Sequence, residues 1–360
     1  MKIAEIEVLQ RAVPYKKPFA IAGGSTSLCE HALVRITTTD GVFGLGEAAT
    51  MPSYSEETHT SVEAVLREKL IPAVRGCDPF DINAIMARLD AAASGNSIAK
   101  AAIDLALHDL VGKLTDQPVY RLLGGCFRER VPLAWAIGLG GIEEVAGEAA
   151  KYAGKGFGTI KIKVGRDAER DIEAVRAVRE AIGSRVRLRV DANQGYDYDT
   201  AIGILPKMER FDLELIEQPL PRSDIEGMGR LCAALDTPIM ADESVFNAQD
   251  AIELIRQRAA DIINIKIMKP CGLRGSRAVA DIAAGAGIPC LIGSMVEMGI
   301  GTAAGLHFAI ATPNIDFACE MIGPEMLAAD IIEQAPFLAT CGEGYFALPT
   351  GTGLGVSLKG

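Results

Sequence analysis

The chain has 360 residues, 49% of them apolar, with a mean hydropathy of +0.21. That composition can bury a sizeable core and excludes general disorder, and the length accommodates an α/β barrel of roughly 250 residues with about 100 to spare. A net charge of −11 and a pI near 5.0 argue against a nucleic-acid or anionic-membrane partner, so an anionic substrate would need a local cluster of cations or a metal.

Met1-Lys2 runs directly into a strand-like Ile3–Val8 with no apolar signal core, and residues 3–13 alternate as a strand does. Ala32–Thr39 and Val42–Glu47 are a second and third strand, joined at Asp40-Gly41, a strong hairpin signal. Between the first two, Pro18–Ser27 carries Gly23-Gly24-Ser25-Thr26-Ser27 and reads as a loop, either an ordinary connection or a lid. Helical periodicity follows over Glu56–Val74, Asp81–Ala93 and Ser97–Leu114, the third capped by Ser97. Its charged residues Lys100, Asp104 and Asp109 read as solvated or interhelical pairs. Gly124-Gly125 closes this first unit.

The rest keeps a β/α beat. Val131–Ile137 is the first barrel strand and Ile142–Lys155 its helix. Thr159–Val164, Val186–Val190, Leu213–Ile216, Pro238–Ala241 and Asp261–Ile265 then carry polar groups at or just past their ends: Lys161 and Lys163, Asp191, Glu217, Asp242 and Lys266. Positions 163, 191, 217, 242 and 266 are 28, 26, 25 and 24 residues apart, the length of one strand, one helix and two loops. Pro289–Gly293 and Ile315–Cys319 complete eight strand-like segments. In a parallel α/β barrel the strand C-termini share one mouth, so these side chains converge there. Gly344–Leu348 and Gly353–Leu358 read as short strands returning to the N-terminal sheet. The expected fold is a parallel α/β barrel of eight strand-like segments with a separate N-terminal unit: residues 1–128 for that unit, 129–330 for the barrel, and 331–360 returning to the N-terminal unit.

The eight cysteines never come closer than 19 residues (271 to 290) and form no Cys-x-x-Cys pair, which predicts free thiols in a reducing, cytoplasmic setting. The apolar stretch Ile292–Ala311 contains Glu297 and His307 and is too broken to span a membrane. The Gly-x-Gly pairs lack the strand–turn–helix context of a dinucleotide site.

Asp191, Glu217 and Asp242 offer only hard oxygen donors, which suits Mg²⁺, with Mn²⁺ as a stand-in. Lys161 and Lys163, two apart on one strand, point the same way, into the barrel. Such lysines are costly unless paired or used. Adjacent cations and desolvation would lower the pKa of Lys163, and Lys266 enters from the far side of the ring. A carboxylate chelated to the metal would lie between two lysines, able to lose an α-proton on one side and regain it on the other, or to undergo β-elimination. Lys269, just before Pro270, reads as a loop charge.

This ordered set, Lys161-Ile-Lys163, Asp191-Ala-Asn193, Glu217-Gln-Pro219, Asp242-Glu243-Ser244 and Asn264-Ile-Lys266, resembles the enolase superfamily, within its muconate lactonizing enzyme subgroup. The resemblance covers essentially the whole chain and implies a modified (β/α)₇β TIM barrel with an α+β capping domain built from the N-terminal region and the C-terminal tail. It implies Mg²⁺ on Asp191, Glu217 and Asp242, with Lys163 and Lys266 as the acid/base pair. Lys161 would contact the substrate carboxylate, and Asn193 and Glu243 would support the ligands. It also implies a homo-oligomer, dimer or octamer. Gly95-Asn-Ser-Ile-Ala-Lys100 and Ile160–Gly165 are similar to dipeptide epimerases, but the Asp-x-Asp pair that those enzymes carry at the eighth strand is missing from Asp316-Phe-Ala-Cys-Glu320. Glu320 with Ile322-Gly-Pro324 instead resembles muconate cycloisomerases. By position Glu297 and Glu320 are either substrate-pocket residues or carboxylates capping a helix. The resemblance implies an isomerase acting on a small carboxylate, first a racemase, epimerase or cycloisomerase. A dehydratase of cis-3-hydroxy-L-proline is the second choice, and a non-catalytic relative a remote third. Specificity would sit in Pro18–Ser27, Met51–Tyr54 and the barrel-end side chains.

Overall fold

The computed structural model describes residues 1–52, 54–333 and 335–359; Ser53, inside the Met51–Tyr54 segment expected to shape specificity, lies outside the described residues. Strands β1 (Ile3–Ile21), β2 (Gly24–Thr38) and β3 (Phe43–Ala49) form an antiparallel sheet in that order. The Asp40-Gly41 turn is where the hairpin signal put it. The Pro18–Ser27 segment differs from expectation. Most of it is strand, with Phe19 opposite Thr26 and Ala20 opposite Ser25. Gly, Ser and Thr read as loop formers, but a cross-strand partner satisfies their backbone groups, and only Ala22 and Gly23 remain to turn the chain.

Two short helices, α1 (His59–Val65) and α2 (Ile71–Val74), are joined by a wider π turn over Leu66–Leu70, and α3 (Ile82–Ala92) and α4 (Ser97–Leu114) follow. Ser97 does not cap α4. Asn96 before it is left-handed (φ 54°), and the carboxylate of Glu57 accepts hydrogen bonds from the Ile98 and Ala99 amides at 3.0 and 3.3 Å. Asp104 and Asp109 are fully buried, not solvated. Asp104 accepts from the Leu273 amide and Asp109 from those of Leu45 and Leu354, so α4 ties the cap sheet, the barrel and the tail together.

Helix α4 can reach β3 only because of glycine. A Cβ on Gly46 would lie 1.9 Å from the Ala102 carbonyl oxygen, and one on Gly44 would lie 2.1 Å from that of Ala106. Both obstacles are helix backbone and cannot swing aside. Gly46→Ala is therefore expected to destabilise the fold by about 3 kcal/mol or more, read by denaturant unfolding. A wild-type midpoint would show that the sheet and helix can separate freely.

After α5 (Val119–Leu122) comes β4 (Arg130–Pro132), then the barrel: β5 (Ala134–Ile137), α6 (Ile142–Gly154), β6 (Thr159–Lys163), α7 (Ala168–Ile182), β7 (Arg187–Asp191), α8 (Tyr198–Glu209), β8 (Leu213–Glu217), α9 (Ile225–Ala234), β9 (Ile239–Ala241), α10 (Ala248–Gln257), β10 (Ile262–Ile265), α11 (Leu273–Gly285), β11 (Cys290–Ile292) and α12 (Gly299–Ala311). Strands β5 to β11 form one parallel sheet in sequence order. The 315–319 segment closes it, bridging Cys290 through Ile315 and Leu133 through Cys319. The result is a (β/α)₇β barrel with a separate capping sheet.

Beyond it lie α13 (Gly323–Met326) and β12 (Tyr345–Ala347). The tail does not join the N-terminal sheet as expected. β12 pairs with β4, and Gly353-Leu354 instead meets the cap at Gln117, Val119 and Asp109. All eight cysteines are free thiols. Among the described residues, no helix is long and apolar enough to cross a membrane.

Candidate active site at the barrel mouth

Period-two alternation decides which side chains enter the barrel. On β6, Lys161 and Lys163 face inward and are 3% and 9% exposed. Lys163 is in register with Asp191, and Asp191 with Glu217, so three successive strand ends present charge at one level. Asp242 follows β9 and Lys266 follows β10. All three carboxylates are fully buried.

The lysines bridge them. The Lys161 ammonium donates to Glu217 (2.8 Å) and to Glu320, and lies 3.3 Å from Asp191. Lys163 donates to Asp191. Opposite, Lys266 donates to Asp242 (2.7 Å) and sits 3.9 Å above the Tyr54 ring. Asn264 donates to the second oxygen of Glu217 and Asn193 to Glu243, at 2.8 and 2.9 Å. Lys161, Lys163, Lys266, Asn193 and Glu320 line one small cavity of about 40 Å³, roofed by Phe19 and Ile21 of the cap hairpin and by Met51 and Tyr54.

Burial and crowding set the charges. Burial raises the Glu217 carboxyl well above its usual range, with Asp191 adding to it, while Lys161 opposes. Glu243 is pushed up to about 7 by burial and by Asp242. Asp242 is the reverse: Lys266 and Lys269 outweigh burial and hold it well below the usual range. The lysines answer in kind. Burial would lower Lys161 and Lys266, but Glu217 and Asp242 respectively raise them, so both are ammonium groups.

Two residues, Lys269 and Arg189, are not among those expected at the site, and a third, Tyr54, is expected there only as part of the Met51–Tyr54 segment. Lys269, expected to be a loop charge, is 1% exposed and donates to the Asp242 carboxylate (2.7 Å) and to the Asn264 carbonyl (3.0 Å). Tyr54 donates its hydroxyl to Asp242 at 2.7 Å. Arg189, two residues before Asp191 and so on the same face of β7, is fully buried and donates to Glu214, to the Ala318 carbonyl and to Glu320. That spacing was the available signal, the same one that paired Lys161 with Lys163. Glu297 goes the other way. Its carboxylate accepts from the Ser294 hydroxyl and the Met295 amide, and it does not line the cavity. Its short reach is satisfied inside its own loop, as a turn-capping carboxylate. Asp316, on the closing segment, is also absent from the lining.

Residues 3–124 match the N-terminal domain of the mandelate racemase/muconate lactonizing enzyme family, and residues 144–360 match its enolase C-terminal domain-like partner. The chain belongs to the muconate lactonizing enzyme subgroup of the enolase superfamily. It is 37% identical to the L-Ala-D/L-Glu epimerase of Bacillus subtilis over 99% of this chain and 97% of that protein. It is 35% identical to muconate cycloisomerase 1 of Rhodococcus opacus over 100% and 96%. A solved dipeptide epimerase of Enterococcus faecalis, complexed with Mg and the dipeptide L-Leu-L-Tyr, superposes with a TM-score of 0.95 at 34% identity, over 99% of this chain and 100% of that one. Like these relatives, the subgroup member described here is an isomerase.

The donor chemistry of the site suits the hard divalent cation of this superfamily. Asp191, Glu217 and Asp242 are all-oxygen donors on neighbouring strand ends, and their crowding leaves Glu217 short of positive charge. Among the described residues no three such groups already stand as a ligand cage. Ammonium groups occupy the carboxylate oxygens, and Lys161 would have to yield.

Proposed function

We propose that the protein is a Mg²⁺-dependent racemase, epimerase or cycloisomerase that removes the α-proton of a small carboxylate. One observation carries this reading: Lys163 and Lys266, from opposite sides of the barrel, flank a single small cavity against a base of three buried carboxylates. Asp191, Glu217 and Asp242 would hold Mg²⁺, which when bound supplies positive charge to stabilise the enediolate form of the substrate carboxylate. Lys161, tethered to Glu217 and Glu320, is placed to meet a carboxylate oxygen. Lys163 and Lys266 would take a proton from one face of the α-carbon and return one to the other. Lys266 is held as an ammonium by Asp242, so on its side the first act is to give a proton; acting as base requires that charge to be engaged elsewhere. Tyr54, Phe19 and Ile21 line the cavity and would exclude water from a bound substrate.

The same ammonium favours one second reading. Poised over a substrate, it could protonate a departing β-hydroxyl, making the protein a dehydratase of a hydroxylated imino acid such as cis-3-hydroxy-L-proline. A cavity this small suits such a compact ring. Glu320 is spent on Lys161 and Arg189, which counts against its holding a dipeptide ammonium.

The test is incubation with Mg²⁺ in D₂O and a panel of amino, N-acyl, dipeptide, imino and muconate-type acids, followed by proton NMR. Exchange with inversion is the expected result for a racemase or epimerase, and lactone formation for a cycloisomerase. Loss of water would select the dehydratase. No exchange, no lactone formation and no loss of water with any acid would overturn the α-proton reading.

A further inference from the structure

Cys29 and His31 on β2 and Glu47 on β3 are all buried on the side of the cap sheet that faces the barrel. They form a continuous hydrogen-bonded chain that the proposed chemistry does not use. The Cys29 thiol donates to the Val296 carbonyl at 3.7 Å and lies within hydrogen-bond distance of His31 Nε2, at 3.0 Å. His31 Nδ1 donates to Glu47 at 2.6 Å. Glu47 also accepts from the Met298 and Gly301 amides, at 2.7 and 2.8 Å, across the start of α12. The proton inventory closes only if the imidazole donates from both nitrogens.

What the chain holds is unusual. Val296 has φ +61°, a left-handed conformation that costs a β-branched residue of order 1–3 kcal/mol and persists only where its surroundings impose it. Val296 lines the cavity that contains Lys163 and Lys266. The loop carrying it, Ser294–Met298, is gripped from the cap at the strained residue's own carbonyl and, two residues on, at the Met298 amide. A Cβ on Gly301 would lie 2.7 Å from the Glu297 side chain and 3.3 Å from the Glu47 carboxylate, so the glycine leaves room for both.

We propose that Cys29, His31 and Glu47 are a latch through which the capping domain positions Val296 in the wall of the substrate site. They are positioning residues, acting on binding through Val296. The proposal rests on the cavity being the substrate site, so its test includes an arm that needs no substrate.

In Cys29→Ala, with His31 and Glu47 intact, the amides of residues 294–298 should exchange with deuterium roughly five- to tenfold faster, the worth of one hydrogen bond. Cys29→Ser, which keeps a donor at that point, should restore slow exchange, a rescue that mere cavity formation would not show. With the panel acid that turns over fastest, KM should rise by a similar factor while kcat stays within about twofold, since the lysines are untouched. Glu47→Gln should loosen both 294–298 and the start of α12. Unchanged exchange over 294–298 in both Cys29→Ala and Glu47→Gln would overturn the latch. Faster exchange with an unchanged KM would overturn its role in binding. Loss of turnover across the whole panel would strike the proposed function and leave the exchange result standing.

Discussion

Lys163→Ala and Lys266→Ala are each expected to lower inversion of the substrate by roughly 10²–10⁴-fold without unfolding the protein. The second half of that expectation comes from the pairing pattern. Removing Lys163 leaves Asp191 beside Lys161 at 3.3 Å, and removing Lys266 leaves Asp242 with Lys269 at 2.7 Å. Neither carboxylate is stranded, so the large penalty for an uncompensated buried charge does not arise. The loss is therefore chemical. It should also be asymmetric. A variant with one lysine can still exchange the α-proton of the enantiomer whose hydrogen faces the remaining amine, but it cannot deliver a proton to the other face. In D₂O, each single variant should show wash-in on one enantiomer with no inversion, and the two variants should choose opposite enantiomers. Two variants that both invert either enantiomer at the wild-type rate would eliminate the two-lysine mechanism.

The sequence disclosed the architecture because a β/α unit has nearly fixed length, so polar residues recurring every 24 to 28 positions (163 to 266) had to meet at one rim. It disclosed Lys161 with Lys163 because a strand alternates. Applied to β7, the same rule would have found Arg189. The contacts of Lys269 and Tyr54 with Asp242 are hidden for a different reason. The chain turns back immediately after β10, with the Lys269 amide bonded to the Lys266 carbonyl and that of Gly272 to Ile267, and this fold returns the Lys269 ammonium to Asp242. Tyr54 arrives from a different unit, 188 residues away in sequence. No local pattern encodes either contact. The hairpin at Pro18–Ser27 was misread because composition reports what a backbone can do alone, whereas the pairing of Phe19 with Thr26 depends on register set elsewhere.

Chelation of divalent metal is expected to abolish turnover reversibly while leaving the protein folded. For three buried carboxylates with nothing between them, metal removal would be ruinous, because like charges in a dry site repel strongly. Here Lys161 already bridges Glu217 and Glu320 and approaches Asp191, and Lys266 and Lys269 neutralise Asp242. The metal-free chain thus has internal cations in place of the external one. Those same contacts set the cost of loading, since Lys161 must release carboxylate oxygens to a competitor. Magnesium should then stabilise the fold by mass action, about 2.7 kcal/mol at 100 times its dissociation constant, on top of a chelated state that still melts cooperatively. Lys161→Met should separate the two roles. Without the ammonium the carboxylates lose their substitute cation, so the chelated variant should melt well below the chelated wild type, and magnesium should recover more of the difference. Paired thermal melts with chelator and with magnesium measure both. If chelated wild type and chelated Lys161→Met melt together, the lysine is not standing in for a cation, and the donor-set reading of Asp191, Glu217 and Asp242 loses its physical support.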